Sequence, residues 1–163
     1  MKESRFWEII QQAHDKAGPN MDEKCDAIKT ALSNLPADEA IEFYRLFDSM
    51  MDRAYSWPLW AAAYIVNGGC SDDGFMDFRS SLISRGPTAF ERVLSDPESL
   101  AEEEFDEDSW FYEGYQYAVT NGVKMAAGLI PAPTMQPPTE PSGQAWKENE
   151  VYLLFPKLSA KFA

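Results

Sequence analysis

The stretch AAYIVNGGCSDDGF, residues 62–75, places an apolar run, two glycines and a set of polar side chains next to one another. The segment from Leu59 to Val66 is apolar on every side, which is typical of a helix at the centre of a bundle. The pair Gly68-Gly69 can end that helix, because glycine adopts the left-handed backbone conformation that a helix C-cap commonly requires. Ser71 then stands where the N-cap of a following helix belongs. The stretch therefore predicts a tight corner between two helices.

Outward from this corner, apolar residues recur at intervals of three and four, while alternation with a period of two is scarce. Prolines and glycines divide the pattern into segments. The predicted helices, in chain order, are residues 4–17, 21–35, 36–55, 59–66, 71–85, 88–94 and 110–127. The sequence thus predicts an all-α protein, a compact bundle of about six to seven helices. Gly114 and Gly122 are expected to weaken the last helix and to admit a close helix neighbour.

Particular side chains are assigned to positions in these helices. Ser4 is expected to cap the first helix and Asn20 the second, where Glu23 completes the spacing of a capping box. A further helical turn is expected to begin at Asp96, which acts as its cap. The periodicity also places Ile41 on the buried face of the third helix and Met125 on that of the last.

A proline-rich segment follows the helices. Residues 130–141 contain five prolines, a composition that predicts a stiff, extended connector. The tail beyond it is rich in large apolar residues, so we expect it to fold back on the helical body as a clasp. A chain of 163 residues fits one domain. We therefore expect a helical part at 1–129, and a connector and clasp at 130–163 that belong to the same domain.

The charge of the chain is strongly negative and unevenly distributed. The formal net charge is −13, and the segment from Glu91 to Glu113 contains ten acidic residues and one base, Arg92. A nucleic-acid partner is not expected, because Lys and Arg must neutralise phosphates in such complexes. A basic protein is the candidate partner instead, and the alternative is a solvated acidic face that only aids solubility. The predicted partner-binding surface consists of seven carboxylates: Glu98, Glu102, Glu103, Glu104, Asp106, Glu107 and Asp108.

Two functions from different classes follow from these features. The leading hypothesis is a non-enzymatic protein-interaction module, for example a neutraliser of a basic partner or toxin. The alternative is an enzyme, or a sensor of a small ligand or metal, that uses the corner residues Cys70, Ser71, Asp72 and Asp73. Whether the protein is an enzyme stays open at this level.

The corner carries reactive residue types without the rest of a known catalytic set. A Cys70 nucleophile needs a base, and His14 is the only histidine of the chain. No phosphate-binding loop, DxDxDG loop or HExxH spacing is present. The sequence therefore predicts no resident metal and no cofactor.

The location is predicted from the N-terminus and the cysteines. No apolar signal segment begins the chain, and two cysteines are too few for the disulfide framework of a small secreted protein. The apolar run before the corner is too short to span a membrane. A cytoplasmic protein with reduced thiols and no membrane partner is expected, while the oligomeric state is left open.

The residues around the corner also resemble a known family. The segment YSWPLWAAAYIVNGGCSDDGFMDFRSSLISRG, residues 55–86, is similar to the signature of the bacterial family known as domain of unknown function 4240. Further matches are Phe6-Trp7, SDPESLA at 95–101 and FPKLSAKF at 155–162. In that pattern a tryptophan usually stands where this chain has Ser81, and an arginine often where it has Pro87. The resemblance implies a helical, bacterial, intracellular domain and implies no particular activity.

Overall fold

The computed structural model describes residues 1–163, which form ten α-helices, one 3-10 helix and no β-strand. The α-helices are α1 Glu3–Ala17, α2 Met21–Ser33, α3 Ala37–Arg53, α4 Trp57–Asn67, α5 Asp72–Ser84, α6 Pro87–Ser95, α7 Glu107–Trp110, α8 Gly114–Ala127, α9 Val151–Leu154 and α10 Pro156–Phe162. The 3-10 helix, Pro97–Glu102, lies between α6 and α7. The all-α prediction is confirmed. None of the helices combines the length and the apolarity that a membrane crossing requires.

Helix α4 lies inside the bundle, as its apolar sequence predicts. Its alanines Ala61, Ala62 and Ala63 are completely buried, and their small side chains leave room for neighbouring elements. These neighbours are the 3-10 helix, α5, α9 and α10. The buried apolar side chains of the whole chain form one continuous core of 33 residues. The corner after α4 is therefore anchored to a helix that packs into this core.

Helices α2 and α8 make the most extensive helix pair of the fold. Gly122 explains the close approach: a Cβ atom there would lie only 2.9 Å from the Cβ of Leu32 and 2.9 Å from the backbone oxygen of Lys29. At Gly114 the atoms nearest to an added Cβ belong to Tyr112, which lies outside the helices, so the predicted helix neighbour is not found there. The close neighbour predicted at Gly122 is confirmed. It fixes one face of α8 against α2, which leaves another face of α8 to line a cleft.

The C-terminal tail packs back on the helical body, as predicted. After the connector, Ser142 pairs with the start of α4: its N–H donates to the Tyr55 carbonyl over 3.0 Å, and its carbonyl accepts from the Trp57 N–H over 2.8 Å. Val151 and Leu158 are then fully buried in α9 and α10. The contacts of Ser142 hold the C-terminal end of the proline-rich connector close to Tyr55, just after α3.

The predicted helix caps are correct in part. The side chain of Asn20 accepts a hydrogen bond from the Glu23 N–H over 2.9 Å, as expected. Ser4 is not a cap, because α1 begins at Glu3 and the carbonyl of Lys2 accepts the first helical hydrogen bonds. Asp96 also makes no side-chain cap. Its extended backbone instead directs the carbonyl to the Ser99 N–H, 3.0 Å away.

Two residues, Ile41 and Met125, lie off the buried face to which the periodicity assigns them. On α3 the buried side chains include Ala40, Phe43 and Phe47, while Ile41 is only half-buried. On α8 Met125 is 64% exposed. The buried side of that helix is formed by Tyr115, Ala118, Val119, Gly122 and Val123. One residue turns a helix face by about 100°, so periodicity alone leaves this ambiguity.

The last long helix is shorter than expected. The predicted segment 110–127 divides into the end of α7 and the whole of α8, with residues 111–113 outside both helices. Ser81 of α5 accounts for the break, because its hydroxyl accepts a hydrogen bond from the Tyr112 N–H over 3.0 Å. That N–H is therefore used by tertiary structure rather than by a helical hydrogen bond.

Candidate functional site

The corner between α4 and α5 is built from helix caps. Gly68 adopts the left-handed conformation with φ of 67°, and the Gly69 N–H donates to the Tyr64 carbonyl over 2.8 Å. The hydroxyl of Ser71 accepts from the Gly74 N–H over 3.1 Å. The predicted C-cap and N-cap are both confirmed. Each of these groups therefore has a structural role in the turn.

The two nucleophile candidates at the corner are poorly placed for catalysis. Burial raises the pKa of the Cys70 thiol to about 12, so at neutral pH the thiol is protonated and a weak nucleophile. The oxygen of Ser71 is engaged as a cap. His14, on α1, is next to Lys24 and Arg85; burial and these positive charges lower its pKa.

The two aspartates of the corner have different surroundings. Both are exposed in the first turn of α5, but only Asp72 lines the cleft beside the corner. Asp73 lies outside it. No group of three or more His, Cys, Asp and Glu side chains is arranged to hold a metal ion. Asp72 is thus the one corner residue that shares a concave site with other polar side chains.

The cleft has a volume of about 410 Å³ and lies between α3, α5 and α8. Helix α3 contributes Tyr44, Asp48 and Asp52, and Tyr55 follows just beyond its end. These positions are four, four and three residues apart, which places them on one face of the helix. One wall of the cleft is therefore a row of carboxylates and phenol rings along α3.

The opposite walls come from two other helices and from the connector. On α5, Asp72 and Arg79 are seven residues apart, or about two turns. On α8, Gln116 and Thr120 are four residues apart, so both side chains reach the cleft. The connector adds Pro137 and Pro138. The cleft is thus formed by segments that are distant in sequence.

Arg79 is the most unusual residue of this cleft. Its side chain is only 6% exposed, and its guanidinium lies 4.6 Å from the ring centre of Tyr55 and 4.8 Å from that of Phe75. The Nη1 atom donates to the Met51 carbonyl over 2.9 Å and Nε to the Phe75 carbonyl over 3.4 Å. None of the four ion pairs of the chain involves Arg79.

This arrangement fixes a positive charge at the edge of a cavity. Burial lowers the pKa of Arg79, although interactions with Tyr55, Asp72 and Asp52 oppose that effect. A buried charge without a partner in contact costs free energy. An anionic group that enters the cleft and contacts the guanidinium would remove part of this cost.

The position of Asp48 and Asp52 in the cleft also changes the pKa of their carboxyl groups. Burial, followed by the negative charge of Asp52, raises the pKa of Asp48 to about 6. Burial also raises the pKa of Asp52, while the charge of Arg79 acts in the opposite direction. Together with Asp72, these groups give the cleft three carboxyl groups and one guanidinium. Its charge at neutral pH is therefore negative.

Arg79 was not singled out from the sequence, although a signal exists. It stands four residues after Phe75 and three before Leu82, in the middle of the apolar stripe of α5. A charged residue on a buried stripe calls for a specific partner. Asp48 and Asp52 of α3 line the same cleft as Arg79.

The predicted acidic surface is exposed only in part. Glu98 accepts a hydrogen bond from the Lys157 N–H over 2.5 Å, and Glu103 forms an ion pair with Arg92. Asp106 is exposed, and one of its oxygens caps α7. The carboxylates of Glu102, Glu104, Glu107 and Asp108 are exposed as well. Five of the seven predicted residues thus face solvent, while the other two bind within the molecule.

Comparison with known proteins identifies a family. The family model described as "Protein of unknown function (DUF4240)" matches residues 1–123 of the chain. The protein therefore belongs to this family, as the residues around the corner suggested. The match includes the corner and every cleft residue except Pro137 and Pro138. No curated protein and no solved structure matches the chain.

Proposed function

We propose that this member of the DUF4240 family binds a small organic ligand in the cleft between α3, α5 and α8. The observation that carries the proposal is Arg79, a buried cation that no carboxylate of the protein contacts and that faces a cavity. The cavity volume of about 410 Å³ is within the usual range of ligand sites, about 300 to 1,000 Å³. This function develops the sensor hypothesis and moves its site from the corner to the neighbouring cleft.

The physical basis is preorganisation. Two aromatic rings and two backbone carbonyls hold the guanidinium of Arg79 in place before a ligand arrives. A group that is already fixed loses little conformational freedom on binding. The carboxylates of Asp48, Asp52 and Asp72 add polar contacts that can orient the ligand. Convergence of a few polar groups and aromatic rings on one cavity is typical of ligand sites.

The test uses the two aspartates of the corner as a matched pair. Thermal unfolding is followed with panels of amino acids, polyamines, nucleosides, sugars and dicarboxylates, for the wild type, Asp72→Asn and Asp73→Asn. Both variants remove one exposed charge from the first turn of α5, but only Asp72 lines the cleft. We expect a compound that stabilises the wild type and Asp73→Asn, and stabilises Asp72→Asn less. Equal responses of both variants, or no stabilising compound, would contradict the proposal.

A second function is supported by the acidic segment. Its five solvent-facing carboxylates, Glu102, Glu104, Asp106, Glu107 and Asp108, occur within seven residues. Concentrated negative charge of this kind accelerates encounter with a positively charged protein. We propose a basic protein, for example a toxin that is neutralised, as the partner of this surface.

Two variants with equal charge change test this second function. In the first, Glu102, Glu104 and Glu107 become glutamine; in the second, the exposed residues Glu140, Glu148 and Glu150 do. A protein captured from the native host at low salt is purified, and its affinity for both variants is measured. The first variant is expected to bind more weakly than the second. Equal affinity would show that the acidic segment is not the contact surface.

Both functions are proposed for a cytoplasmic, bacterial protein. The structure contains two free cysteines, Cys25 and Cys70. Burial raises the pKa of the Cys25 thiol to about 11 and that of Cys70 to about 12. Protonated, partly buried thiols of this kind remain reduced in a reducing compartment.

A further inference from the structure

We propose that the ligand of the cleft is a cationic amino acid, whose α-carboxylate contacts Arg79 and whose positively charged groups contact Asp48, Asp52 and Asp72. This inference rests on the ligand-binding function proposed above and specifies its chemical class. It is carried by the arrangement of one fixed guanidinium and three carboxylates around the same cavity.

The anionic part of the ligand is assigned from the guanidinium nitrogen of Arg79 that makes no hydrogen bond within the protein. Because Nε and Nη1 donate to backbone carbonyls, Nη2 remains for a group in the cleft. Guanidinium groups bind carboxylates and phosphates through short, charge-assisted hydrogen bonds. The three carboxylates of the cleft disfavour a phosphate, which carries more negative charge than a carboxylate. A single carboxylate therefore fits the site better.

The cationic part of the ligand is assigned from the excess of negative charge. Asp48 and Asp52 lie one turn apart on α3, and Asp72 lies on α5 at another wall of the cleft. A neutral amino acid brings one positive charge for its one negative charge, so the excess remains. A cationic amino acid brings a second positive charge and reduces the excess. Ammonium or guanidinium groups then meet carboxylates at two walls.

The aromatic residues of the cleft support the same class. Tyr44, Tyr55 and Tyr117 line the cavity together with the carboxylates. Phenol rings attract cations at their faces and also pack against the methylene groups of long charged side chains. A ligand with an aliphatic chain between its charged groups can use both properties.

Isothermal titration calorimetry at neutral pH with three related compounds tests this assignment. L-lysine has all three charged groups, cadaverine lacks the α-carboxylate, and norleucine lacks the side-chain ammonium. We expect L-lysine to bind about tenfold more tightly than either of the other two, because each lacks one charged contact. Cadaverine or norleucine that binds the wild type as tightly as L-lysine would overturn the proposed class.

Variants of Arg79 separate direct contact from a merely structural role. Arg79→Gln is expected to weaken L-lysine about tenfold and to leave cadaverine unchanged or improved, since cadaverine has no carboxylate for Arg79 to bind. Arg79→Lys provides a second variant, which keeps the charge but loses the planar fork, and its affinity for L-lysine is also expected to fall. Equal losses for L-lysine and cadaverine would overturn the assigned role of Arg79.

The outcomes also distinguish this inference from the function on which it rests. If another class of compound stabilises the wild type and depends on Asp72, while L-lysine does not bind, the cationic amino acid is wrong and ligand binding in the cleft stands. If no class depends on Asp72 or Arg79, both proposals fail.

Discussion

Two arginines six residues apart, one within α5 and one directly after its last residue, meet very different surroundings. Arg85, at the end of the helix, lies 3.6 Å from the ring centre of Trp110 and donates to the Ser109 hydroxyl over 3.2 Å. Arg79, within the helix, lies between Tyr55 and Phe75 and faces the cleft. Burial lowers the pKa of both guanidiniums, and neither forms an ion pair within 4.0 Å.

The difference lies in what each guanidinium can still contact. Arg85 is covered by Trp110, and the charges of Glu103 and Asp106 oppose the effect of its burial. It thereby holds the end of α5 against α7. Arg79 is flanked by two aromatic rings, but it also borders the cavity of the cleft. Burial of a charge is thus common to both sites, and only the adjacent cavity distinguishes a binding residue from a packing residue.

The largest expected effect comes from exchanging each arginine for glutamine. Both Arg79→Gln and Arg85→Gln remove a stacked cation and at least one hydrogen bond, so each is expected to lower the unfolding free energy by about 2 kcal/mol. Only Arg79→Gln is expected to weaken L-lysine, by about tenfold. Denaturant unfolding and calorimetry measure the two effects. A loss of L-lysine affinity in Arg85→Gln would remove the distinction between the two sites.

A smaller effect of opposite sign is expected at Lys24, whose charge lies near Arg85. Lys24 is 2% exposed, and burial, followed by the charge of Arg85, lowers its pKa to about 8. Lys24→Met is therefore expected to raise the unfolding free energy at pH 7 by about 1 to 2 kcal/mol. Between pH 8 and 10.5 the folded state loses this proton while the unfolded state keeps it, so the wild type gains stability. The advantage of Lys24→Met should shrink across that range in pH-dependent unfolding.

The cleft variant Asp48→Asn is expected to change stability and ligand affinity in opposite directions. The pKa of Asp48 is raised from 3.8 to about 6, so its ionised form destabilises the fold above that pH. Asp48→Asn should raise the unfolding free energy at pH 7 by about 1 kcal/mol, since the group is half-exposed, and this gain should vanish near pH 4.

The same variant should bind L-lysine more weakly. For the wild type, affinity should fall as the pH is lowered from 7 to 5, because Asp48 becomes protonated. Unchanged affinity in Asp48→Asn would remove this residue from the site.

The smallest effect is expected at the corner itself. Ser71→Ala removes the N-cap bond to the Gly74 N–H and should lower the unfolding free energy by about 1 kcal/mol. Binding of L-lysine should not change, because Ser71 is absent from the cleft. Thermal unfolding and calorimetry check both expectations. A larger loss in affinity than in stability would return the site to the corner.

The sequence predicted those features that depend on neighbouring residues. The caps at Asn20 and Ser71 and the turn at Gly68 are local, because each hydrogen bond spans only a few positions. The close packing at Gly122 was also expected, since a glycine within a helix indicates a nearby backbone. Helix-forming periodicity and short capping bonds were therefore sufficient for the fold class.

The cleft could not be derived in the same way. It combines Asp48 of α3, Asp72 and Arg79 of α5, Gln116 of α8 and Pro137 of the connector, whose proximity is set by tertiary packing. Local patterns do not specify how those helices are rotated. Asp72 was found because it lies at the predicted corner, whereas Arg79 was overlooked within an apolar stripe.

The most direct test of the central claim is the NMR signal of the arginine Nε–Hε groups during titration with L-lysine. The Arg79 signal, assigned by its loss in Arg79→Lys, should be distinct because two aromatic rings flank its guanidinium. We predict that it shifts to saturation while the Arg85 signal stays fixed. An Arg79 signal that does not move at saturating L-lysine, or an Arg85 signal that moves instead, would contradict the assignment of the cleft as the binding site.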